Sequence, residues 1–158
     1  MPEQEFYTVR GYQLLEQHKS SLTASLEDYL EMICRSMLAD GYVRVNKLSA
    51  QLNVKPSSAS KMLMKLNNLG LIEYEKYGVV RLTEHGRNLG QYLLWRHNTI
   101  LKFLKLISNE NEGDIFIETE LSEHIFGKNT VMNFERLIKF LNGADIKKLF
   151  KDYLKTHN

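Results

Sequence analysis

The sequence predicts a mainly α-helical protein in which a winged helix-turn-helix domain precedes a helical domain. Three observations lead to this fold class. Apolar residues recur at helical spacing in three consecutive segments between residues 25 and 69. Residues 72–82 then alternate around a glycine-containing turn, which is typical of a two-stranded β-hairpin, the wing. After residue 83 the helical spacing returns.

The first two helices precede the segment that would read DNA. The first is predicted over residues 25–38, with Ser25 as its N-cap and Gly41 following its end. A short second helix is predicted over residues 45–52, and residues 53–55 form a turn after it. This order is typical of the first half of a helix-turn-helix unit.

The third helix is predicted over residues 57–69. Pro56 favours a helix start because its missing N–H group needs no partner there, and Gly70 is suited to the position after the helix end. Thr83 then caps a long helix over residues 84–107. We expect the third helix to bury one apolar stripe, made of Ala59, Met62, Leu63, Leu66 and Leu69. Three shorter helices follow the long one, over residues 119–126, 129–141 and 144–154.

Composition places the chain among intracellular globular proteins. An apolar content of 43% is enough for a core, and no apolar run reaches the length of a membrane helix. Cys34 is the only cysteine, so no intrachain disulfide can form, which fits a reducing cytoplasm. The net charge is only +2, but lysine and arginine outnumber acids between residues 41 and 90, whereas residues 110–123 contain acids and no base.

The third helix predicts a DNA-reading surface. With its apolar stripe buried, its hydroxyl and lysine side chains face outward and no acid accompanies them. Small hydroxyls allow close approach to base edges, and lysines suit phosphate contacts. The helix has no arginine for the common arginine–guanine pair. The candidate DNA-contacting residues, with the wing tip included, are Pro56, Ser57, Ser58, Ser60, Lys61, Lys65, Lys76 and Tyr77.

Carboxylates and imidazoles at helical spacing predict a metal site. Asp28 and Glu31 stand three positions apart on the first helix. Glu120, Glu123 and His124 fall within five residues of a later helix. Four carboxylates and two imidazoles exceed the needs of one ion, so two ions are expected. Oxygen-rich ligation without thiolate favours Mn(II), with Fe(II) next. The candidate ligands are Asp28, Glu31, His97, Glu120, Glu123 and His124.

Five motifs occur in an order that resembles a known family. They are the runs Ser25-Leu26-Glu27-Asp28-Tyr29-Leu30-Glu31, Pro56-Ser57-Ser58-Ala59-Ser60-Lys61-Met62, Tyr74-Glu75-Lys76-Tyr77, Arg96-His97 and Glu120-Leu121-Ser122-Glu123-His124. Together they resemble the diphtheria-toxin-repressor family of metalloregulators, and most closely its manganese-transport-regulator branch. The resemblance extends from about residue 23 to the C-terminus.

The resemblance implies a homodimer that binds double-stranded operator DNA when metal is present and represses metal-uptake genes. It assigns the six candidate ligands to the metal, with Glu120 and Glu123 bridging two ions. The iron-responsive branch typically has methionine in place of Asp28 and cysteine in place of Glu120, so the residues found here agree with manganese. No SH3-like domain is expected. The implied organisation is an extension of unknown role over residues 1–22, a winged-helix domain over 23–84, and a helical dimerisation and metal-binding domain over 85–158.

Other functions remain open at this point. An iron-responsive or metal-independent regulator could have the same fold. A binuclear metallohydrolase would need an open coordination position, a general base and a substrate cleft, and the sequence offers no spare acid–base group beside the candidate ligands. We therefore expect no catalytic residue, no small-molecule substrate and no membrane association.

Overall fold

The computed structural model describes Thr8, residues 22–74 and residues 78–156. The chain divides into two compact units, residues 1–90 and 91–158. The described elements of the first unit are α1 (Ala24–Asp40), β1 (Val43–Arg44), α2 (Val45–Gln51), α3 (Pro56–Asn68), β2 (Ile72–Tyr74) and β3 (Val79–Leu82). The long helix α4 (Glu84–Ile107) begins in the first unit, and α5 (Glu112–Ser122), α6 (Lys128–Leu141) and α7 (Ala144–Thr156) belong to the second. The mainly helical winged-helix fold predicted from the sequence is confirmed.

The wing is part of a three-stranded antiparallel sheet in the order β1-β3-β2. The predicted hairpin is confirmed as β2 and β3, whose register places Ile72 opposite Leu82. Strand β1 adds a third strand, with Val43 opposite Val80. The sequence did not predict β1 because two residues are too few to show the alternation of a strand.

The N-cap of the first helix lies two residues earlier than predicted. Thr23 is the N-cap, and its hydroxyl accepts a hydrogen bond from the N–H of Leu26 at 3.4 Å. The prediction of Ser25 as the cap is therefore wrong, since Ser25 lies inside the helix. After the last helical residue, Gly41 adopts a left-handed conformation with φ of 75° and donates its N–H to the carbonyl of Met37. A residue with a Cβ would be strained there.

The core of the first unit joins all three helices of the helix-turn-helix. Leu30, Ile33, Leu48, Leu63 and Leu66 have no solvent exposure. Each side chain of this kind stabilises the fold by about 1.5–3 kcal/mol through removal from water. The orientation of α3 is therefore fixed by its packing, which determines which of its residues face outward.

A close contact ties the start of α4 to the loop after α3. The Thr83 hydroxyl accepts a hydrogen bond from the N–H of Gly86 at 3.0 Å, as predicted for a helix cap. The same hydroxyl lies 2.8 Å from the carbonyl oxygen of Gly70 and 3.1 Å from that of Leu71. A Cβ added to Gly86 would lie 1.7 Å from the Leu71 carbonyl oxygen. Only glycine allows this approach.

The second unit differs from prediction at α5, which begins at Glu112 and ends at Ser122 rather than covering residues 119–126. The Asn111 side chain caps it by accepting from the N–H groups of Gly113 and Asp114 at 3.0 Å. The acidic residues of the first turn favour this start because they face the positive end of the helix dipole. The residues after Ser122 form a turn, so Glu123 and His124 lie beyond the helix.

Aromatic contacts organise the second unit around α4 and α6. The rings of Phe103 and Phe134 stack with centroids 4.3 Å apart. Trp95, the only tryptophan, donates its indole N–H to Glu135 at 3.4 Å, and its ring lies 5.8 Å from that of Tyr92. Among the described helices of both units, none has the length and apolar character needed to cross a bilayer.

Candidate DNA-reading surface and metal centre

Helix α3 presents most of the predicted DNA-contacting residues to solvent. It begins with Pro56 in its first turn, and Lys55 precedes it as the N-cap. Pro56, Ser57, Ser58, Lys61 and Lys65 are exposed. No acid lies on this helix. The surface therefore combines hydroxyls near the positive end of the helix dipole with two lysines, which suits contact with nucleic-acid phosphates.

Ser60 differs from the other serines of the helix. It is half-buried, and its Oγ accepts a hydrogen bond from the Tyr74 hydroxyl of strand β2 at 3.4 Å. This contact directs Ser60 toward the wing strand rather than directly outward. Lys76 and Tyr77, which were predicted to contact DNA from the wing tip, lie outside the described residues.

The apolar pattern of α3 departs from prediction at three positions. Ala59, Leu63 and Leu66 are fully buried as expected. Met62 is only half-buried, and Leu69, at the helix end, is 40% exposed. Met64, which the predicted stripe omitted, is 53% exposed. Helical periodicity could have located it, because Met64 shares the face of Ser57 and Lys61.

Four of the six predicted metal ligands lie together in the second unit. His97 comes from α4, Glu120 from the last turns of α5, and Glu123 and His124 from the turn that follows. The Nδ1 atom of His97 lies 2.7 Å from Oε2 of Glu123 and 3.5 Å from Oε1 of Glu120. Nε2 of His124 lies 3.8 Å from Oε1 of Glu123. Glu123 is thus the centre of this cluster.

Burial distinguishes this cluster from surface ion pairs. His97 is 1% exposed and Glu123 is 2% exposed, whereas the Glu120 side chain is 45% exposed. Arg96, which is also buried, lies with Nη2 at 3.2 Å from Nδ1 of His124. Because a guanidinium can only donate, Nδ1 of His124 is the acceptor in this contact. The other ring nitrogen of His124, Nε2, faces the Glu123 carboxylate.

The other two predicted ligands lie one turn apart on α1, in the first unit. Asp28 is half-buried, and Glu31 is 7% exposed. Oε1 of Glu31 accepts hydrogen bonds from Arg35 Nη2 at 2.6 Å and Nε at 3.0 Å. Both guanidinium nitrogens donate to this one oxygen, and the charge-assisted pair orients the Glu31 carboxylate.

Cys34 is the only potential thiolate near the predicted ligands, and it packs in the core of the first unit. It is 2% exposed, and a Cβ added to Gly90 would lie 2.9 Å from its Cβ. Burial, and then the negative charge of Glu31, raise the pKa of the Cys34 thiol. A thiol that keeps its proton is a poor metal ligand, because coordination requires the thiolate.

Comparison with known proteins assigns the chain to a family. Residues 21–80 match the family model described as the iron-dependent repressor, N-terminal DNA-binding domain. The chain is 33% identical over 135 residues to the HTH-type transcriptional regulator MntR of Oceanobacillus iheyensis, a match that covers 82% of this chain and 91% of that protein. It is 37% identical to MntR of Geobacillus thermodenitrificans, with 75% and 83% covered. The chain belongs to the MntR family.

Solved structures agree with this membership. The manganese regulator SloR superimposes with a TM-score of 0.66 and 25% identity, and IdeR of T. acidophilum with a TM-score of 0.63 and 28% identity. Each match covers 75% of this chain and 55% of the other, so the chain spans about half the length of these two structures. As a member of the MntR family, the protein is a DNA-binding transcriptional regulator and not an enzyme. The resemblance predicted from the sequence is confirmed.

Proposed function

We propose that this protein is a manganese-responsive repressor that binds operator DNA as a homodimer when its carboxylate–imidazole site is loaded. The proposed ligands are the six predicted from the sequence: Asp28, Glu31, His97, Glu120, Glu123 and His124. The observation that carries this proposal is the buried contact between His97 and Glu123, at 2.7 Å. The solved structural relatives, which include a manganese regulator, agree with it.

A buried carboxylate next to a buried imidazole is costly unless a charge compensates it. Removing a carboxylate from water costs several kcal/mol, even after the surroundings relax. The Glu123 carboxylate has the imidazoles of His97 and His124 within 4 Å. The Glu120 carboxylate also approaches the imidazole of His97. A divalent cation would supply positive charge and replace protons on these groups. The cluster therefore has the chemistry of a metal site.

The donor set fits a hard or borderline cation. It consists of carboxylate oxygens and imidazole nitrogens, and the one nearby thiol is buried with a raised pKa. Such donors favour Mn(II), and then Fe(II), over metals that prefer thiolate. With Asp28 and Glu31 included, the proposed set has four carboxylates. This number supports two ions per subunit, with shared carboxylates.

The same assignment gives the chain a means of regulation. Asp28 and Glu31 belong to the helix that packs beneath α3, whereas the other four ligands belong to the second unit. Ligands shared between the units would favour one arrangement of the reading helices within a dimer. A metal can shift this equilibrium only by its differential affinity for that arrangement. The carboxylates themselves repel one another when no cation is bound, which opposes the same arrangement.

Exposed apolar side chains in the second unit support a homodimer. Ile117 is 56% exposed, Leu121 73% and Ile125 75%. Ile117 and Leu121 lie one turn apart on α5, and Ile125 lies in the turn that follows the helix. Exposed apolar side chains grouped in this way are typical of a protein–protein interface. A second copy of the chain would cover it and would also place two reading helices on one duplex.

The direct experiment measures DNA binding as a function of metal. A fluorescent duplex is first selected from a random-sequence library with the Mn(II)-treated protein. Its affinity is then measured with chelator-treated protein and with Mn(II), anaerobic Fe(II) or Zn(II). We expect Mn(II) to tighten binding by more than about tenfold, which corresponds to a typical allosteric coupling of over 1 kcal/mol. Equal affinity with and without chelator would instead identify a metal-independent regulator.

Metal selectivity tests the ligand assignment itself. Asp28→Met combined with Glu120→Cys replaces two oxygen donors with sulfur, and we expect Mn(II) to lose its advantage over Fe(II), Co(II) and Zn(II). Glu118→Cys is the matched control, because it introduces the same thiol on an exposed position of α5 outside the proposed site. Unchanged selectivity in a folded double variant would exclude these residues as ligands. Equilibrium dialysis of the wild type gives the number of ions per subunit.

A further inference from the structure

Met64 is an exposed apolar residue near the centre of α3, whose other alanine, leucine and methionine side chains are buried or, in Met62, half-buried. It is 53% exposed, whereas Ala59, Leu63 and Leu66 on the same helix have no exposure. Unlike Leu69, which lies at the C-terminal end, Met64 is near the middle of α3. Exposed single apolar residues are common, so its position on the helix decides what it can contact.

The helical geometry places Met64 on the face opposite the core. Residues at spacings of four, three and four share one side of a helix with 3.6 residues per turn, and Ser57, Lys61, Met64 and Asn68 have these spacings. All four are exposed. The buried residues of α3 occupy the opposite side. Met64 thus lies on the line of side chains that enters a groove first if α3 is the reading helix.

The chemistry of a thioether restricts what Met64 can recognise there. It has no hydrogen-bond donor and only a weak acceptor, so it cannot make the paired hydrogen bonds that distinguish guanine or adenine. The major groove presents one apolar group, the C5-methyl of thymine. An unbranched, polarisable side chain adapts well to such a surface. Helix α3 has no arginine, so apolar contact is one of the few direct ways in which it can read sequence.

We propose that Met64 is a specificity-determining residue that contacts the thymine methyl group of one base pair in each operator half-site. This inference rests on the proposed placement of α3 in the major groove. The side chain of Met64 packs against the methyl group, while Lys61 on the preceding turn binds phosphate. Operator preference for thymine at that position then depends on the methyl group and not on the hydrogen-bonding edge of the base.

Replacement of thymine by deoxyuridine removes only the methyl group and tests this directly. The duplex is one selected from a random library by the Mn(II)-treated protein, and each thymine is replaced in turn. For the wild type we expect one position per half-site at which the change weakens binding about fourfold, the factor for one buried methyl-sized group. Changing both half-sites should weaken binding about fifteenfold.

Two substitutions of Met64 distinguish apolar contact from any other role. Met64→Leu retains an apolar side chain and should retain the thymine-to-uracil difference. Met64→Gln has a similar length and a favourable helix propensity, and it should abolish that difference. Circular dichroism checks that both variants fold. A thymine-to-uracil difference that survives in Met64→Gln, or that is absent in the wild type, overturns the proposal.

A third variant separates this outcome from a failure of the proposed reading helix. Lys61→Ala should reduce the salt dependence of binding while keeping the thymine-to-uracil difference, because phosphate contacts carry no sequence information. If Lys61→Ala has this effect and Met64→Gln changes nothing, α3 is the reading helix and the role of Met64 is refuted. If neither variant alters binding, the placement of α3 is wrong and the proposal for Met64 fails with it.

Discussion

Gly86→Ala tests how firmly the long helix α4 is joined to the reading unit. The added Cβ would lie 1.7 Å from the Leu71 carbonyl oxygen, whereas ordinary contact begins at 3.4 Å. Backbone must therefore move by about 1.7 Å. The displaced carbonyl accepts from the N–H of Thr83 at 3.2 Å and from its hydroxyl at 3.1 Å. Both hydrogen bonds are weakened by such a shift.

The expected cost follows from these contacts. Loss of the two hydrogen bonds costs about 1–3 kcal/mol, and packing strain adds about 1–3 kcal/mol. Alanine is more favourable than glycine within a helix by about 0.5–1 kcal/mol, which offsets part of this cost. We therefore expect the free energy of unfolding to fall by roughly 3 kcal/mol, and the melting temperature by roughly 6–12 °C.

Urea unfolding followed by far-UV circular dichroism measures this change. Gly143→Ala is the matched control, because its added Cβ makes only ordinary contact, at 3.4 Å from the Phe140 carbonyl oxygen. The control should stay within about 0.5 kcal/mol of the wild type. If Gly86→Ala were as stable as this control, the close packing of α4 on the loop after α3 would not exist in solution.

Two further predictions concern charge. Lys61→Ala should reduce the slope of log affinity against log salt by about 2 in a dimer, because the Lys61 of each subunit releases the counterions of about one phosphate. The control is Lys139→Ala, which removes an exposed lysine paired with Glu135 and should leave the slope unchanged. Burial raises the pKa of the Cys34 thiol, so the native state holds this proton more tightly than the unfolded chain does. The stability that this contributes is present below the ordinary thiol pKa and is lost as pH rises past it. In the wild type the urea midpoint should therefore fall between about pH 8 and pH 10, and Cys34→Ala should make this fall smaller.

Periodicity was sufficient to predict the three helices and the hairpin of the first unit, but not the two-residue strand β1. The buried apolar residues of α1, α2 and α3 repeat at helical spacing, and the hairpin alternates around Gly78. It was insufficient for α5, where Ile115, Phe116 and Ile117 are adjacent and give no periodic signal. Only Ile115 of these three is buried. The capping side chain of Asn111 was the local indication of the helix start.

The site could be predicted only in part. His97 and Glu123 are 26 positions apart, so no spacing rule brings them together. Their residue types made them candidates for one metal site, the family resemblance implied that both are ligands, and their distance of 2.7 Å came from the fold. Met64 was missed for a different reason. The predicted buried stripe left it out, but the outward-facing residues were chosen for their hydroxyl and lysine groups, so a methionine whose angular position on α3 places it in solvent was passed over.

The position of Trp95 determines what optical spectroscopy can report about this protein. The only indole of the chain lies in the second unit, hydrogen-bonded to Glu135 and close to Tyr92. Its emission therefore follows the surroundings of α4 and α6, and the helix-turn-helix contributes no tryptophan signal. Far-UV circular dichroism, in contrast, sums over the helices of both units. Any difference between the two melting curves would show that one unit unfolds before the other, without a label or a truncated chain.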